Sequence, residues 1–348
     1  MNNFKTSHIR KQAVGIDVAS DTLEVRLGAI NTRDQMEFSS SRSFPNSTPG
    51  FHRLMEWAQR HMEATEDVWF VMEATGVYYE ELAYFLHEAG RRVCVLVASR
   101  AKHYAKSLPV KSKTDAIDAR ILARYGLERS PIAWDPVSEQ LRRIKLLVRE
   151  RHQLKKQRTQ LKNRLHAARK RWQHPESGLQ RLTDHIEQIN DYLQQVDQQL
   201  DRLWRSDRQL AEPIKRIAQI GGVGTKTVLQ IIAETNGFAL ITNRNQLASY
   251  AGLDVVLDQS GKRVGATKIS KQGNAHIRQA LYMPAVCASR HNRALKAFYK
   301  RLVAKHTDRK KIALVAVMRK LLLLIYSLWE SGQEYNPQFH YQQITRKA

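Results

Sequence analysis

The chain has 348 residues, with 57 Lys and Arg against 33 Asp and Glu, a formal net charge of +24 and a pI near 10.2. That length allows two or three domains with real cores, and that charge favours a polyanionic partner, nucleic acid first. The two cysteines, Cys94 and Cys287, exclude a disulfide framework or a zinc-finger pattern, and both read as small core residues.

Residues 13 to about 130 read as α/β. Ala13–Asp17 and Thr22–Leu27 are predicted strands joined by a turn at Ala19-Ser20-Asp21. Pro45–Gly50 reads as a loop and Phe51–Ala64 as an amphipathic helix. Val68–Met72 is a short buried strand. Gly76 precedes a predicted helix over Val77–Ala89, stopped by Gly90, and Arg92–Ala98 is a valine-rich strand. Thr114 is placed to cap a helix beginning near Asp115.

Residues 138 to about 207 change character. From Ser138 to His174 there are thirteen Lys/Arg and two acids, Glu139 and Glu150. His174-Pro175-Glu176-Ser177-Gly178 breaks the helical pattern. Beyond it, Leu182, Ile186, Ile189, Leu193, Val196, Leu200 and Leu203 keep a 4-3 spacing, and Leu147, Leu154 and Leu161 repeat every seven. This predicts an antiparallel coiled-coil hairpin with a seam for a second copy; a helical bundle inside one core is the alternative.

From residue 213 to about 330 a third region follows. Ile220-Gly221-Gly222-Val223-Gly224 before Thr225–Glu234 resembles a helix-hairpin-helix, in which glycines let the backbone approach a phosphate; a tight inter-helix turn explains the pattern equally well. Lys262 to Lys320 holds sixteen Lys/Arg and one acid, Asp308, which suits a phosphate backbone. The apolar run Ile312–Trp329 is interrupted by Arg319 and Lys320 and reads as a buried helix, with no membrane partner. The N-terminus shows no signal-peptide pattern, so a cytoplasmic protein is expected.

Against this basic background a few acids stand out. Asp17 ends one apolar run and Glu73 another, before Ala74-Thr75-Gly76. Asp115 and Asp118 are spaced i, i+3, so their carboxylates face one way on a helix and repel unless a cation lies between them. The ordinary readings are a turn acid, a capping acid and a solvated pair served by Lys111 and Lys113. Together the four suit a two-metal site at a phosphodiester. Ser260 is ordinarily a turn residue, but Gly261 leaves room beside it and Lys262, Arg263, Lys268 and Lys271 surround the turn with cations.

At these residues the chain resembles the DEDD transposases of bacterial insertion sequences, the bridge-RNA-guided recombinases. The resemblance lies in Gly15-Ile16-Asp17-Val18-Ala19, Met72-Glu73-Ala74-Thr75-Gly76 and Lys113-Thr114-Asp115-Ala116-Ile117-Asp118-Ala119-Arg120. It continues in Gly222-Val223-Gly224, Tyr250-Ala251-Gly252-Leu253, Ser260-Gly261 and Arg278-Gln279-Ala280-Leu281-Tyr282-Met283-Pro284-Ala285. It implies an RNase H-like (RuvC-like) domain over 1–134, a coiled-coil segment over 135–210, a mostly helical transposase domain over 211–337 and a polar tail over 338–348. It implies that Asp17, Glu73, Asp115 and Asp118 bind magnesium, two ions per site, and that Ser260 attacks DNA to form a phosphoserine intermediate. Implied partners are donor and target double-stranded DNA, a structured guide RNA, and further copies in a dimer or tetramer that joins the acids of one subunit to the serine of another. A bacterial, nucleoid-associated location goes with them. Lys111, Lys113, Lys262, Arg263, Lys268, Lys271 and Arg278 are the expected nucleic-acid contacts.

One departure is Lys262-Arg263 after Ser260-Gly261, where relatives carry small polar residues; Ser270 is the alternative serine if the register is shifted. Two other functions fit the residues. One is a structure-selective nuclease with metal-activated water and an idle serine, the other a non-catalytic nucleic-acid-binding protein.

Overall fold

In a computed structural model, residues 9–338 are described, apart from 63–67, 75, 111, 113, 240, 257–258, 261–262, 265–267 and 306–309; the side chains of 99, 259, 260, 263 and 264 also lie outside the description. The chain divides into two compact units, Met1–Pro136 and Val137–Ala348.

The first unit is α/β. In chain order it contains β1 (Ile9–Val18), β2 (Thr22–Asn31), β3 (Met36–Phe38), β4 (Arg42–Pro45), α1 (Thr48–His61), β5 (Trp69–Glu73), α2 (Glu80–Glu88), β6 (Arg92–Leu96), α3 (Ala98–Lys106) and α4 (Asp115–Glu128). The sheet order is β3-β2-β1-β5-β6, with β4 also on β2. β1 pairs antiparallel with β2 and parallel with β5, and β5 pairs parallel with β6. An antiparallel β1-β2-β3 meander continued by parallel strands and flanked by helices is the RNase H-like arrangement.

Ala13 to Ile16 are buried without alternation, as a strand covered on both faces requires. On one face, Val14, Ile16, Phe70 and Met72 pack with Phe51, Leu54, Leu82 and Leu86 from α1 and α2. On the other, Val71, Cys94 and Leu96 pack with Ala101, Tyr104, Ile121, Leu122 and Tyr125 from α3 and α4.

Several boundaries differ from the sequence reading. Residues Thr48, Pro49 and Gly50 belong to the first turn of α1, not to a loop. Proline is tolerated there because its missing N–H would have no helical partner. Gly50 is required, since a Cβ would lie 1.9 Å from the Pro45 carbonyl oxygen. The chain after Gly76 makes a turn before α2, three residues later than predicted, because Gly76 adopts φ +58°. β6 ends at Leu96, and Ala98 opens α3.

The second unit is mostly helical. It contains α5 (Glu139–Arg169), α6 (Glu176–Ser206), α7 (Arg208–Ile217), α8 (Thr225–Glu234) and α9 (Arg244–Tyr250), then the short strands β7 (Val255–Val256), β8 (Gln259–Ser260), β9 (Arg263–Val264) and β10 (Lys268–Ile269), and finally α10 (Ala275–His291), α11 (Arg293–Lys305) and α12 (Lys310–Ser331). α5 and α6 run antiparallel: Gln140 bonds the Leu203 carbonyl, Arg151 bonds Asp197, and Arg158 bonds Asn190. Their far halves close over Leu161, Leu165, Ile186, Ile189 and Leu193. Their near halves, through Ile144, Val148, Val196, Leu200 and Trp204, belong to the core shared with α7, α8 and the later helices. The near half of the seam is thus buried in a larger helical core, and the far half packs between α5 and α6 alone.

α12 is long and apolar enough to cross a membrane by length and composition. Here Val317, Leu321, Leu322, Ile325 and Leu328 are buried in the helical core. Cys94 is buried, and burial pushes its thiol pKa up to about 11. Cys287 is exposed, contrary to expectation, because the buried stripe of α10 runs through Ile277, Leu281, Pro284, Ala285 and Ala288 and leaves position 287 outside it.

Candidate active site

Asp17 and Glu73 end adjacent strands of the first unit's sheet, and the helix carrying Asp118 crosses the same face. The parallel register aligns Ile16 with Met72, so Asp17 and Glu73 are the next residues of adjacent strands. The two-residue period puts Asp17 on the face of Gly15 and Glu73 on the face of Val71. That is the face covered by α4. A Cβ at Gly15 would lie 2.0 Å from the Ala119 carbonyl oxygen and 2.2 Å from the Ala123 nitrogen, while one at Gly126 would lie 2.6 Å from Ala13 Cβ and 3.0 Å from Val71 Cγ2. Glycine at 15 thus permits backbone contact between β1 and α4. The helix runs against the strand direction, from Asp115 and Asp118 at the carboxyl end of the strands to Gly126 nearer their start.

Thr114 caps α4 by accepting a hydrogen bond from the Ile117 N–H at 3.3 Å. Two acids in the first helical turn also suit the positive end of the helix dipole. Asp118 is half-buried and, with Glu73, lines a cavity of about 540 Å³. Asp115 is exposed and does not line it.

The cavity is also lined by Lys102 and Lys106, neither of which the sequence reading selected. Their only signal was an i, i+4 repeat on a helix that had not been recognised. Glu24 was likewise missed: it sits opposite Asp17 in the β1–β2 register and accepts a hydrogen bond from the Ser41 hydroxyl. Among the described residues, no group of three or more His, Cys, Asp or Glu side chains is gathered so as to hold a metal ion. The donor chemistry does fit a hard divalent cation, because carboxylates from two strands and a helix face one end of the sheet, and two of them line one cavity.

In the second unit, Ser260 lies in β8, whose backbone pairs Ser260 with Arg263 of β9. β7 and β10, on either side of this pair in the chain, form a second ladder, here called the stem, through Val256 with Lys268 and Val255 with Ile269. The stem is anchored. Ser270 donates to Asp254, so this alternative serine has a structural partner. Arg278 donates to the carbonyls of Ala251 at 2.9 Å and Gly273 at 3.2 Å, on either side of the stem in the chain. Lys268 and Lys271 are exposed on the same stem. Lys111, Lys113 and Lys262 lie outside the described residues, as does the side chain of Arg263.

Beneath the stem, Glu234 is fully buried and held by Arg149 at 2.8 and 2.9 Å and by Asn274 at 2.8 Å. Burial pushes its carboxyl pKa up, but the hydrogen bonds and the charges of Arg149 and Lys145 push it further down, and the net is below the ordinary value. The Tyr250 hydroxyl donates to the Glu234 carbonyl at 2.8 Å. The glycine turn before α8 is explained by packing: Gly222 adopts φ +96°, and a Cβ there would lie 2.7 Å from the Ala288 nitrogen of α10. The tight inter-helix turn is therefore sufficient reason for that glycine.

A family of DEDD transposases of IS110 elements matches residues 14–171, and the family described as transposase IS116/IS110/IS902 matches residues 214–300. Pilin gene-inverting proteins of Moraxella bovis and Moraxella lacunata are each 32% identical to this chain over 332 residues, covering 95% of it and 99% of their own length. Among solved structures, T. thermophilus RuvC in complex with a Holliday junction substrate matches 35% of this chain and 99% of its own, with 12% identity and a TM-score of 0.26. At that score the RNase H-like class follows from the strand order instead. With its two halves matched in order and a relative aligned from end to end, the chain belongs to the IS110 family of DNA transposases.

Proposed function

We propose that this transposase cleaves and rejoins DNA at a site built from Asp17, Glu73, Asp115 and Asp118, with Ser260 as the nucleophile. The observation that carries the acidic half is the convergence of Asp17 and Glu73, on adjacent parallel strands, with the N-terminal turn of α4. Those carboxylates would hold magnesium, two ions per site, and bound magnesium would supply neutralisation of the scissile phosphate. Lys102 and Lys106 add positive charge at the cavity wall. The Ser260 oxygen loses its proton and forms a bond to phosphorus; the bond from phosphorus to a sugar oxygen breaks, and that oxygen takes up a proton. Rejoining is the reverse attack by a sugar hydroxyl, which releases the serine. Donor and target DNA would be selected by a structured guide RNA, and the enzyme would work as a homo-oligomer, dimer or tetramer, in the bacterial cytoplasm at the nucleoid. The resemblance of the spaced motifs supports the serine, the RNA and the assembly.

The test is excision at the native locus, read by amplifying the circular-element junction from cells carrying wild type, Asp17→Ala or Ser260→Ala. Product from the wild type alone is expected. Product persisting with Ser260→Ala would transfer the chemistry to metal-activated water, and product persisting with Asp17→Ala would remove the acids from it.

A further inference from the structure

Backbone pairing between β1 and β5 runs from Ala13–Trp69 to Ile16–Met72, so the ladder's described pairs stop one residue short of both carboxylates. Asp17 is still paired with Glu24 of β2 and Glu73 with Leu96 of β6, so each acid is held on its outer side, and the spacing between the two also depends on what ties the loops leaving them. One side chain does so. Asn46, between β4 and α1, donates from Nδ2 to the carbonyl of Ala19 at 2.9 Å, that of Ser20 at 3.4 Å and that of Tyr78 at 3.1 Å. Ala19 and Ser20 form the turn two and three residues after Asp17; Tyr78 lies in the turn five residues after Glu73. A single amide thus bridges the two loops that leave the acidic residues.

The bridge is itself braced. The Asn46 backbone N–H donates to the Asp21 carbonyl at 2.9 Å, and the preceding Pro45 is paired with Thr22 in the β2–β4 ladder. The β1–β2 turn is closed by the Ala19 N–H on the Thr22 carbonyl at 2.9 Å. On the other side, Gly76 at φ +58° turns the chain so that the Tyr78 ring lies over it, 3.5 Å from where a Cβ would stand. The amide thus joins the β1–β2 turn to the described turn at residues 76–79.

We infer that Asn46 is a positioning residue that fixes the spacing of Asp17 and Glu73 for a divalent cation. The inference rests on the proposed role of these acids. Like charges on neighbouring strands destabilise one another, so holding two carboxylates together calls for support from the surrounding structure. Partners that orient metal ligands typically change metal affinity by about 10–100-fold when removed.

The test is Mn²⁺ binding to the full-length protein, followed by the electron paramagnetic resonance signal of free Mn²⁺. Asn46→Ala and the isosteric Asn46→Asp, which places a carboxylate against three carbonyl oxygens, are both expected to weaken binding by at least about tenfold. Both variants keep the Asn46 backbone bond and the β2–β4 ladder, and thermal melting checks that each is folded. In an Asp17→Asn background, where the pair to be spaced is already broken, Asn46→Ala is expected to add no further loss. Wild-type affinity in both folded Asn46 variants, or the same additional loss in the Asp17→Asn background, overturns the inference. If Asp17→Asn alone binds Mn²⁺ like the wild type, the acidic-site reading fails and this inference fails with it. If Asp17→Asn weakens binding and the Asn46 variants do not, this inference fails alone.

Discussion

Glu234 is ionised although its side chain is fully buried, because Arg149 and Asn274 supply more than its desolvation removes. Its carboxyl pKa is depressed below the ordinary value of about 4.5, so the stability it contributes is present above pH 4.5 and lost as pH falls through the folded pKa. Arg149→Met leaves the carboxylate buried without its main partner. The guanidinium is 41% exposed, which discounts the effect, and a loss of about 2–3 kcal/mol in urea unfolding at pH 7 is expected. In the variant the fall in stability between pH 5 and 3, compared at about one-unit steps, should flatten. An unchanged acid limb would assign that fall to other carboxylates. This pair was not legible in the sequence, since its members stand 85 residues apart and each looks like an ordinary surface charge. Asp17 and Glu73 were legible, because each terminates an apolar run and a polar residue at such a boundary is conspicuous.

At the scale of elements, the α5–α6 hairpin has two energetic halves. Its near half shares the large helical core, whereas Ile186 and Ile189 pack only within the far cluster. The double variant Ile186→Ala, Ile189→Ala is expected to cost about 4–8 kcal/mol locally, by the usual large-to-small penalty at buried sites. Hydrogen exchange would show it: amides of 158–190 should lose protection while those of α8 and α12 keep theirs. Uniform loss across the unit would mean that the hairpin and core unfold together. The heptad spacing made this element readable, because a seam repeats often enough to be seen. β3 and β4, of three and four residues, gave no such signal, and their pairing with β2 is fixed by tertiary contacts.

For the whole molecule, a net charge of +24 makes ionic strength the main lever on DNA binding. Affinity for duplex DNA should fall by about 10³-fold or more between 50 and 200 mM salt if six or more phosphates are contacted, as fluorescence anisotropy would record. A flat dependence would exclude the basic surface as the binding determinant. Arg278 illustrates why charge alone does not name contacts, since its guanidinium is engaged by the backbone carbonyls of Ala251 and Gly273.

The sequence by itself determined the family and the α/β-then-helical order of the chain, and it singled out four acids and a serine as candidates. Each of these is carried by residues close together in the chain: an apolar run with its terminal acid, a capped helix start, a short motif. Only the tertiary structure decided which acids share a cavity, that Lys102 and Lys106 line it, and that Asn46 joins the two strand tips. Those depend on the parallel register of β1 with β5 and on backbone contact at Gly15, and nothing local in the chain encodes either, because both are set when distant segments exclude water from a common core.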